Sequence, residues 1–89
     1  MRVVLTIVGQ DQVGIIAKAS NALAEMNINI ININQNIMQG FFNMVLIADM
    51  SKANVTLAAA RTKMAELGKE IGVEIRLQSE DIFTAMHRI

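Results

Sequence analysis

The segment Gly9-Gln10-Asp11-Gln12-Val13-Gly14 joins two stretches of different hydrophobic periodicity, and this junction constrains the fold most. Before it, residues 3–8 are rich in β-branched side chains and predict a strand buried on both faces. After it, residues 15–26 show helical spacing, with an apolar stripe of Ile16, Ala19, Leu23 and Met26. A glycine-bounded turn at a helix start leaves backbone N–H groups unpaired at the positive end of the helix dipole. The loop therefore predicts binding of a small anion.

The middle of the chain predicts a hairpin. Isoleucine alternates with polar amides over residues 27–38, as in a strand with one buried face. The alternation slips at Ile30-Ile31, which indicates either a bulge or the strand entry. Gln39-Gly40 predicts a tight turn. Residues 41–48 are apolar on both faces and predict a strand in the middle of a sheet.

The last third of the chain predicts helix, strand and helix. Asn54 is the expected cap of a second helix, which Gly68 interrupts and Gly72 ends. The apolar stripe of this helix is Leu57, Ala60, Met64, Leu67 and Ile71. Residues 73–78 alternate as a half-exposed strand. Residues 79–89 predict a short helix with an apolar side formed by Ile82, Phe83, Met86 and Ile89.

This order of elements predicts an α+β, ferredoxin-like βαββαβ sandwich with an additional short C-terminal helix. Two apolar helices must cover one face of a four-stranded antiparallel sheet. Right-handed crossovers leave room for one strand between each connected pair, so strands one and three lie centrally. No linker composition interrupts the chain, so residues 1–89 are expected to form a single domain.

Composition narrows the classes of partner. A hydrophobic fraction of 53% in only 89 residues leaves apolar surface after folding, which favours a homodimer. A formal net charge of zero gives no long-range attraction for nucleic acid or an anionic membrane. The chain has no cysteine and no apolar run of bilayer length, so a cytoplasmic protein is expected.

Several polar residues have two possible roles. Asp11 is either the N-cap of the first helix or a carboxylate facing a ligand ammonium group, and the two roles are compatible. Gly9 and Gly14 serve turn geometry and close packing, or contact the ligand directly. Asn27 and Asn29 are common turn residues, or amides that bridge the carboxylate and amine of a ligand.

The sequence gives little support for catalysis. It shows no nucleophile paired with a base and no cluster of metal ligands, so no enzyme activity and no cofactor are expected. His87 is the single histidine, and its place near a helix end suits a cation at the negative end of the dipole. The glycine spacing of the first loop matches neither a phosphate loop nor a dinucleotide site.

The pattern Gly9-x-Asp11-x-x-Gly14-Ile15, followed by Asn29-Ile30 at the start of strand two, resembles the ACT domain over essentially the whole chain. The tail Asp81-Ile82-Phe83-x-Ala85-Met86-x-x-Ile89 resembles small stand-alone members of the UPF0237 type, which are similar to modules of the glycine-cleavage repressor. Many ACT domains carry proline near the aspartate, whereas this chain has Gln12-Val13.

The resemblance implies a regulatory module that binds an amino acid or a similar small metabolite at the interface of a homodimer. One subunit would contribute loop residues, namely Gly9, Gln10, Asp11, Gln12, Val13, Gly14 and Ile15. The next subunit would contribute the start of strand two, namely Asn27, Asn29 and Ile30. A regulated partner protein is implied, but its identity is not. The alternative is a protein-interaction module that assembles without a small ligand.

Overall fold

The computed structural model describes residues 1–86, which form four strands and three helices in the order βαββαβα. The strands are β1 (Arg2–Gln10), β2 (Asn29–Met38), β3 (Phe41–Asp49) and β4 (Val73–Ser79). The helices are α1 (Ile15–Glu25), α2 (Leu57–Ile71) and α3 (Glu80–Met86). The parts of the last helix predicted at His87 and Ile89 lie outside the described residues.

The four strands form one sheet in the order β2-β3-β1-β4, with antiparallel neighbours throughout. This arrangement confirms the ferredoxin-like fold and the central positions of β1 and β3. The β2–β3 register shifts between Ile30 and Asn32, so Ile31 is the extra residue of a bulge. Gln39 and Gly40 both have positive φ and form the two-residue turn of this hairpin.

The core lies between one face of the sheet and the helices α1 and α2. Alternate residues of each central strand point into it, as the two-residue period of a strand requires. The largest fully buried side chains are Val3, Leu5, Ile7, Leu23, Met44, Leu46, Met64 and Leu77. In α1, Ile15 is buried, and the predicted Ile16 is only partly buried against the same core.

The prediction that β1 is buried on both faces is wrong for its carboxyl end. On the face opposite α1 and α2, Val4 is buried, but Val8 of β1 remains 48% exposed and Val45 of β3 remains 42% exposed. The only described element on this face is α3, and a helix of seven residues is too short to cover four strands. The apolar residues on this side therefore line an open surface.

The second helix differs from its prediction at both Asn54 and Gly68. Thr56 is the N-cap, because its hydroxyl accepts a hydrogen bond from the Ala59 N–H at 3.1 Å. The Asn54 side chain instead donates to the Glu25 carbonyl at the end of α1, at 3.1 Å. Gly68 does not interrupt α2. An added Cβ there would lie 2.7 Å from the carbonyl oxygen of Val73, so the close approach of β4 requires glycine at this position of α2. Gly72, with φ of 80°, ends the helix as predicted.

Candidate functional site

The loop between β1 and α1 is held close to the sheet. Gly9 belongs to β1, and an added Cβ would lie 2.6 Å from a methyl carbon of Val73 on β4. The Asp11 N–H donates to the carbonyl of Gly40 at 2.8 Å, which ties the loop to the β2–β3 turn. The Gln12 side-chain amide donates to the carbonyl of Ile71 at 2.7 Å, at the end of α2. The loop is thus anchored on two sides.

The first turn of α1 has no side-chain cap. Gly14 occupies the N-cap position with φ of 91°, and its carbonyl accepts the first helical bond from the Lys18 N–H at 3.0 Å. The expectation that Asp11 caps this helix was therefore wrong. The left-handed turn at Gly14 puts a glycine, which has no side-chain acceptor, at the N-cap, and the Asp11 carboxylate is left for another role. The N–H groups of the first turn keep their partial positive charge.

A cavity of about 260 Å³ lies beside this helix start. Four of the predicted loop residues line it, namely Asp11, Gln12, Gly14 and Ile15. Gln10 is exposed at the end of β1, and the Val13 side chain is 100% exposed at the tip of the loop. Neither of these two lines the cavity.

The cavity also has a wall that the sequence prediction missed. Its remaining lining residues are Ile16, Ala17, Gln35, Ile37 and Phe42. A signal for this wall was present in the predicted topology. Because β1 and β2 are each antiparallel to β3, they run parallel to each other, and their carboxyl ends meet at one edge of the sheet. The residues near the end of β2 and the start of β3 therefore had to adjoin the β1–α1 loop.

The other predicted residues, Asn27, Asn29 and Ile30, lie at the opposite end of α1. Since α1 has 11 residues, about 16 Å of helix separates them from the loop of the same chain. Asn27 adopts φ of 56° and donates from its side chain to the Lys52 carbonyl at 2.7 Å, which confirms its turn role. A second cavity of about 550 Å³ lies here and includes Asn29 and Asp49 in its lining.

The pKa of Asp49 is lowered at this end of the sheet. The main cause is a hydrogen bond from the Ser51 hydroxyl at 2.6 Å, and the Ser51 N–H adds a second at 3.0 Å. The amino group of Met1, 3.7 Å from the same carboxylate oxygen, acts in the same direction. Asn29 lies opposite Asp49 in the β2–β3 register, so an ionised carboxylate borders the start of β2.

The described residues support neither a metal site nor a membrane-spanning helix. Within residues 1–86, no group of three or more histidine, cysteine, aspartate or glutamate side chains is arranged to hold a metal ion. None of the helices in this range is long and apolar enough to cross a bilayer.

Comparisons with known proteins identify the family and agree with the fold. The family model of the ACT domain matches residues 3–63. A UPF0237 protein of Methanosarcina acetivorans is 46% identical over 88 residues, covering 99% of this chain and 96% of the relative. The solved structure of an ACT domain protein from Streptococcus pneumoniae superimposes with a TM-score of 0.82 at 31% identity, covering 93% of each chain.

A larger regulatory protein shares the same fold. The regulatory subunit of aspartate kinase from Thermus thermophilus superimposes with a TM-score of 0.65 at 27% identity, over 86% of this chain and 50% of that one. The match of the family model, the identity to the archaeal relative and the sheet order all lead to one assignment. The chain belongs to the ACT domain family and is related over its whole length to the UPF0237 proteins.

Proposed function

We propose that this protein is a non-catalytic regulatory module that binds an amino acid or a similar small metabolite beside the β1–α1 loop, as a homodimer. The observation that carries the proposal is the uncapped start of α1 facing a cavity of about 260 Å³. This volume lies below the usual range for drug-sized ligands and suits a ligand of few atoms. The fold shared with the regulatory subunit of an aspartate kinase supports a regulatory role.

The charges around the cavity suit a zwitterion. The N–H groups of the first turn of α1 attract a carboxylate, because they are unpaired and lie at the positive end of the helix dipole. The Asp11 carboxylate lines the same cavity and makes no capping bond, so it is available to a ligand ammonium group. A free amino acid carries both complementary charges on adjacent atoms.

The exposed edge strand β2 supports the proposal that a second copy of the chain completes the wall of the loop cavity. Residues 29–38 contain no charged side chain and no proline, the residues that usually protect a sheet edge. On the helix side of this strand, Ile33 is 40% exposed and Ile37 is 52% exposed. Antiparallel pairing of two β2 strands would extend the sheet and shield these side chains beneath the two α1 helices.

The register of this pairing follows from side-chain parity. Asn32, Asn34 and Asn36 share one face of β2 in the register with β3, and Ile33 shares the other with Ile37. In a dimer with two-fold symmetry, the helices of both subunits lie on the same side of the extended sheet only under one condition. Residues from the same face of each β2 strand must lie opposite each other. Setting Ile33 opposite its own counterpart satisfies this condition. Because Ile31 is the extra residue of the bulge, this register sets Ile30 of the partner subunit, on the helix side, near Gln35 of the loop cavity and leaves Asn29 on the opposite face.

The size of the ligand limits the affinity. Glycine has five heavy atoms, and a ceiling of about 1.5 kcal/mol for each gives about 7.5 kcal/mol, which corresponds to a Kd in the micromolar range. Such a module would respond to the concentrated amino-acid pools of a cell. It would not detect trace signals.

Calorimetric titration with each of the twenty amino acids tests the proposal, after light scattering has established the dimer. We expect at least one amino acid to bind, and Asp11→Asn to weaken that binding about tenfold or more, since it removes a charge-assisted bond. Asp81→Asn on α3 is the matched control and should leave binding unchanged. A monomer at high micromolar concentration, or a dimer that binds none of the amino acids at millimolar concentration, would contradict the proposal.

One observation favours the alternative of a protein-interaction module. The Val13 side chain, 100% exposed beside the helix start, is an apolar contact that a protein partner would cover. In that case a stoichiometric partner should co-purify with the protein from its own cells. Its binding should be lost with Val13→Asp and unaffected by Asp11→Ala or Asn29→Ala.

A further inference from the structure

A separate groove lies on the face of the sheet opposite α1 and α2, between the edge strand β2, the central strand β3 and helix α3. Its volume is about 610 Å³, more than twice that of the loop cavity at about 260 Å³. This volume falls within the range of pockets that bind small organic molecules. The groove shares no lining residue with the loop cavity, so binding at the two places can be measured at different residues.

One wall of the groove is a row of amides. Asn32, Asn34 and Asn36 follow each other at alternate positions of β2, and Asn43 lies directly opposite Asn36 on β3. Alternate residues of a strand are about 6.8 Å apart, which is close to the length of a fused two-ring heterocycle. Within residues 1–86, none of these four side chains forms a hydrogen bond with the protein. Each amide therefore offers both donors and an acceptor.

The other wall is apolar. Val45 and Ile47 project from β3, and Phe83 of α3, which is partly buried, lines the same groove. No charged side chain lines the groove. A ligand placed here meets hydrogen-bonding groups along one edge and hydrocarbon along its face, without any charge to neutralise a phosphate or a carboxylate.

We propose that this groove binds an uncharged planar nitrogen heterocycle of the kind found in nucleosides. Asparagine amides match the donor and acceptor edges of such rings, and apolar or aromatic side chains contact their faces. The neutral lining and the zero net charge of the chain favour a free base or nucleoside over a nucleotide or a nucleic-acid strand, which depend on cationic side chains. The ligand of this groove is thus different in chemistry from a zwitterion.

Titration of the ¹⁵N-labelled protein with adenosine, followed by NMR, tests the proposal. We expect saturable shifts at the side-chain amides of Asn32, Asn34, Asn36 and Asn43 and at the backbone of residues 43–47. The N–H groups of residues 11–17 should not move with adenosine. An amino acid that binds the loop cavity should give the reverse pattern, so failure of one site is distinguishable from failure of the other.

The double variant Asn34→Leu, Asn43→Leu removes two amides and should weaken adenosine binding about tenfold or more. Asn34→Ala, Asn43→Ala provides a second version, because leucine on an open sheet face can cause self-association. Asn21→Leu on the exposed side of α1 is the matched control and should bind as the wild type does. Thermal unfolding of each variant establishes that it is folded.

Three results would overturn the proposal. The first is the absence of shifts in the groove at millimolar adenosine. The second is equal affinity of the wild type and both double variants. The third is tighter binding of adenosine monophosphate or of a single-stranded oligoadenylate than of adenosine, since that would indicate recognition of phosphate.

Discussion

The side-chain amide nitrogen of Gln12 donates a 2.7 Å hydrogen bond to the main-chain carbonyl of Ile71. This bond joins the loop before α1 to the last residue of α2, 59 positions away in the chain. Ile71 lies in the final turn of α2, where helix carbonyls lack partners within the helix. The Gln12 amide therefore provides a hydrogen-bond donor for a carbonyl at the end of α2. It also holds in place the loop that lines the cavity.

Replacement of Gln12 by alanine should weaken both functions of this bond. We expect the free energy of unfolding to fall by about 1 kcal/mol, because the partly buried Ile71 carbonyl loses its partner. Urea denaturation measures this change, and calorimetry measures the accompanying loss of amino-acid affinity in a loop that is less firmly held. Gln10→Ala, at the exposed end of β1, is the control. Equal stability of the two variants would contradict a structural role for the bond.

For Gly68→Ala, the predicted change in the free energy of unfolding has the opposite sign to the change that helix propensity alone predicts. Alanine is favoured over glycine in a helix interior by about 1 kcal/mol. Here the added Cβ would lie 2.7 Å from the Val73 carbonyl oxygen, which is backbone and cannot move without shifting β4. We expect Gly68→Ala to destabilise the protein by about 1–3 kcal/mol in urea denaturation.

The control for this prediction is Ala65→Gly, at an exposed position of the same helix. It measures the glycine–alanine difference where no strand lies close, and it should cost about 1 kcal/mol. If Gly68→Ala stabilised the protein by a similar amount, α2 would not pack against β4 as closely as the structure indicates.

The fold was predictable because its signals are local and repeated. Alternation over residues 73–78, the amide pattern of residues 29–38 and the stripe of α2 each define an element, and the crossover rule then fixes the sheet order. Gly68 was misread because glycine disfavours helices on average. The reason for its presence is a contact with Val73, which lies in a different element and leaves no trace in local composition.

The candidate site was only half predictable from the sequence. Gly14 and Asp11 were found from the turn pattern, but their roles at the helix start depend on φ of Gly14, which a sequence does not state. Gln35 and Ile37 were missed because β2 was read for its solvent-facing amides. Only the parallel relationship of β1 and β2 brings its carboxyl end to the loop.

The assignment of Thr56 as the N-cap of α2 can be tested by removing its hydroxyl. Thr56→Ala removes the bond from the Ala59 N–H and should cost about 1 kcal/mol in the free energy of unfolding. Thr62→Ala in the body of α2 is the matched control, since its hydroxyl only bonds back to the Ala58 carbonyl; this change should be neutral or slightly stabilising. A larger loss with Thr62→Ala than with Thr56→Ala would contradict the assignment.

The pair of Ser51 and Asp49 predicts a pH-dependent contribution to stability. Two hydrogen bonds from Ser51 lower the pKa of the Asp49 carboxyl in the folded state. A group with a lowered folded pKa stabilises the protein above its unfolded pKa, and this contribution is lost as the pH falls through the folded value. Ser51→Ala should move the pKa partly back toward that of an ordinary aspartate, because the amino group of Met1 and the N–H of residue 51 remain.

Carboxyl ¹³C NMR titration of Asp49 measures the pKa change directly. Urea denaturation should show the wild type to be more stable than Ser51→Ala near neutral pH. As the pH falls through the pKa of Asp49 in the folded wild type, this difference should shrink, since protonation removes the charge that the hydroxyl stabilises. Ser20→Ala on α1 provides the control, because its effect on stability should be the same at both pH values. Identical titration of Asp49 in the wild type and in Ser51→Ala would show that the hydroxyl bond has no electrostatic effect.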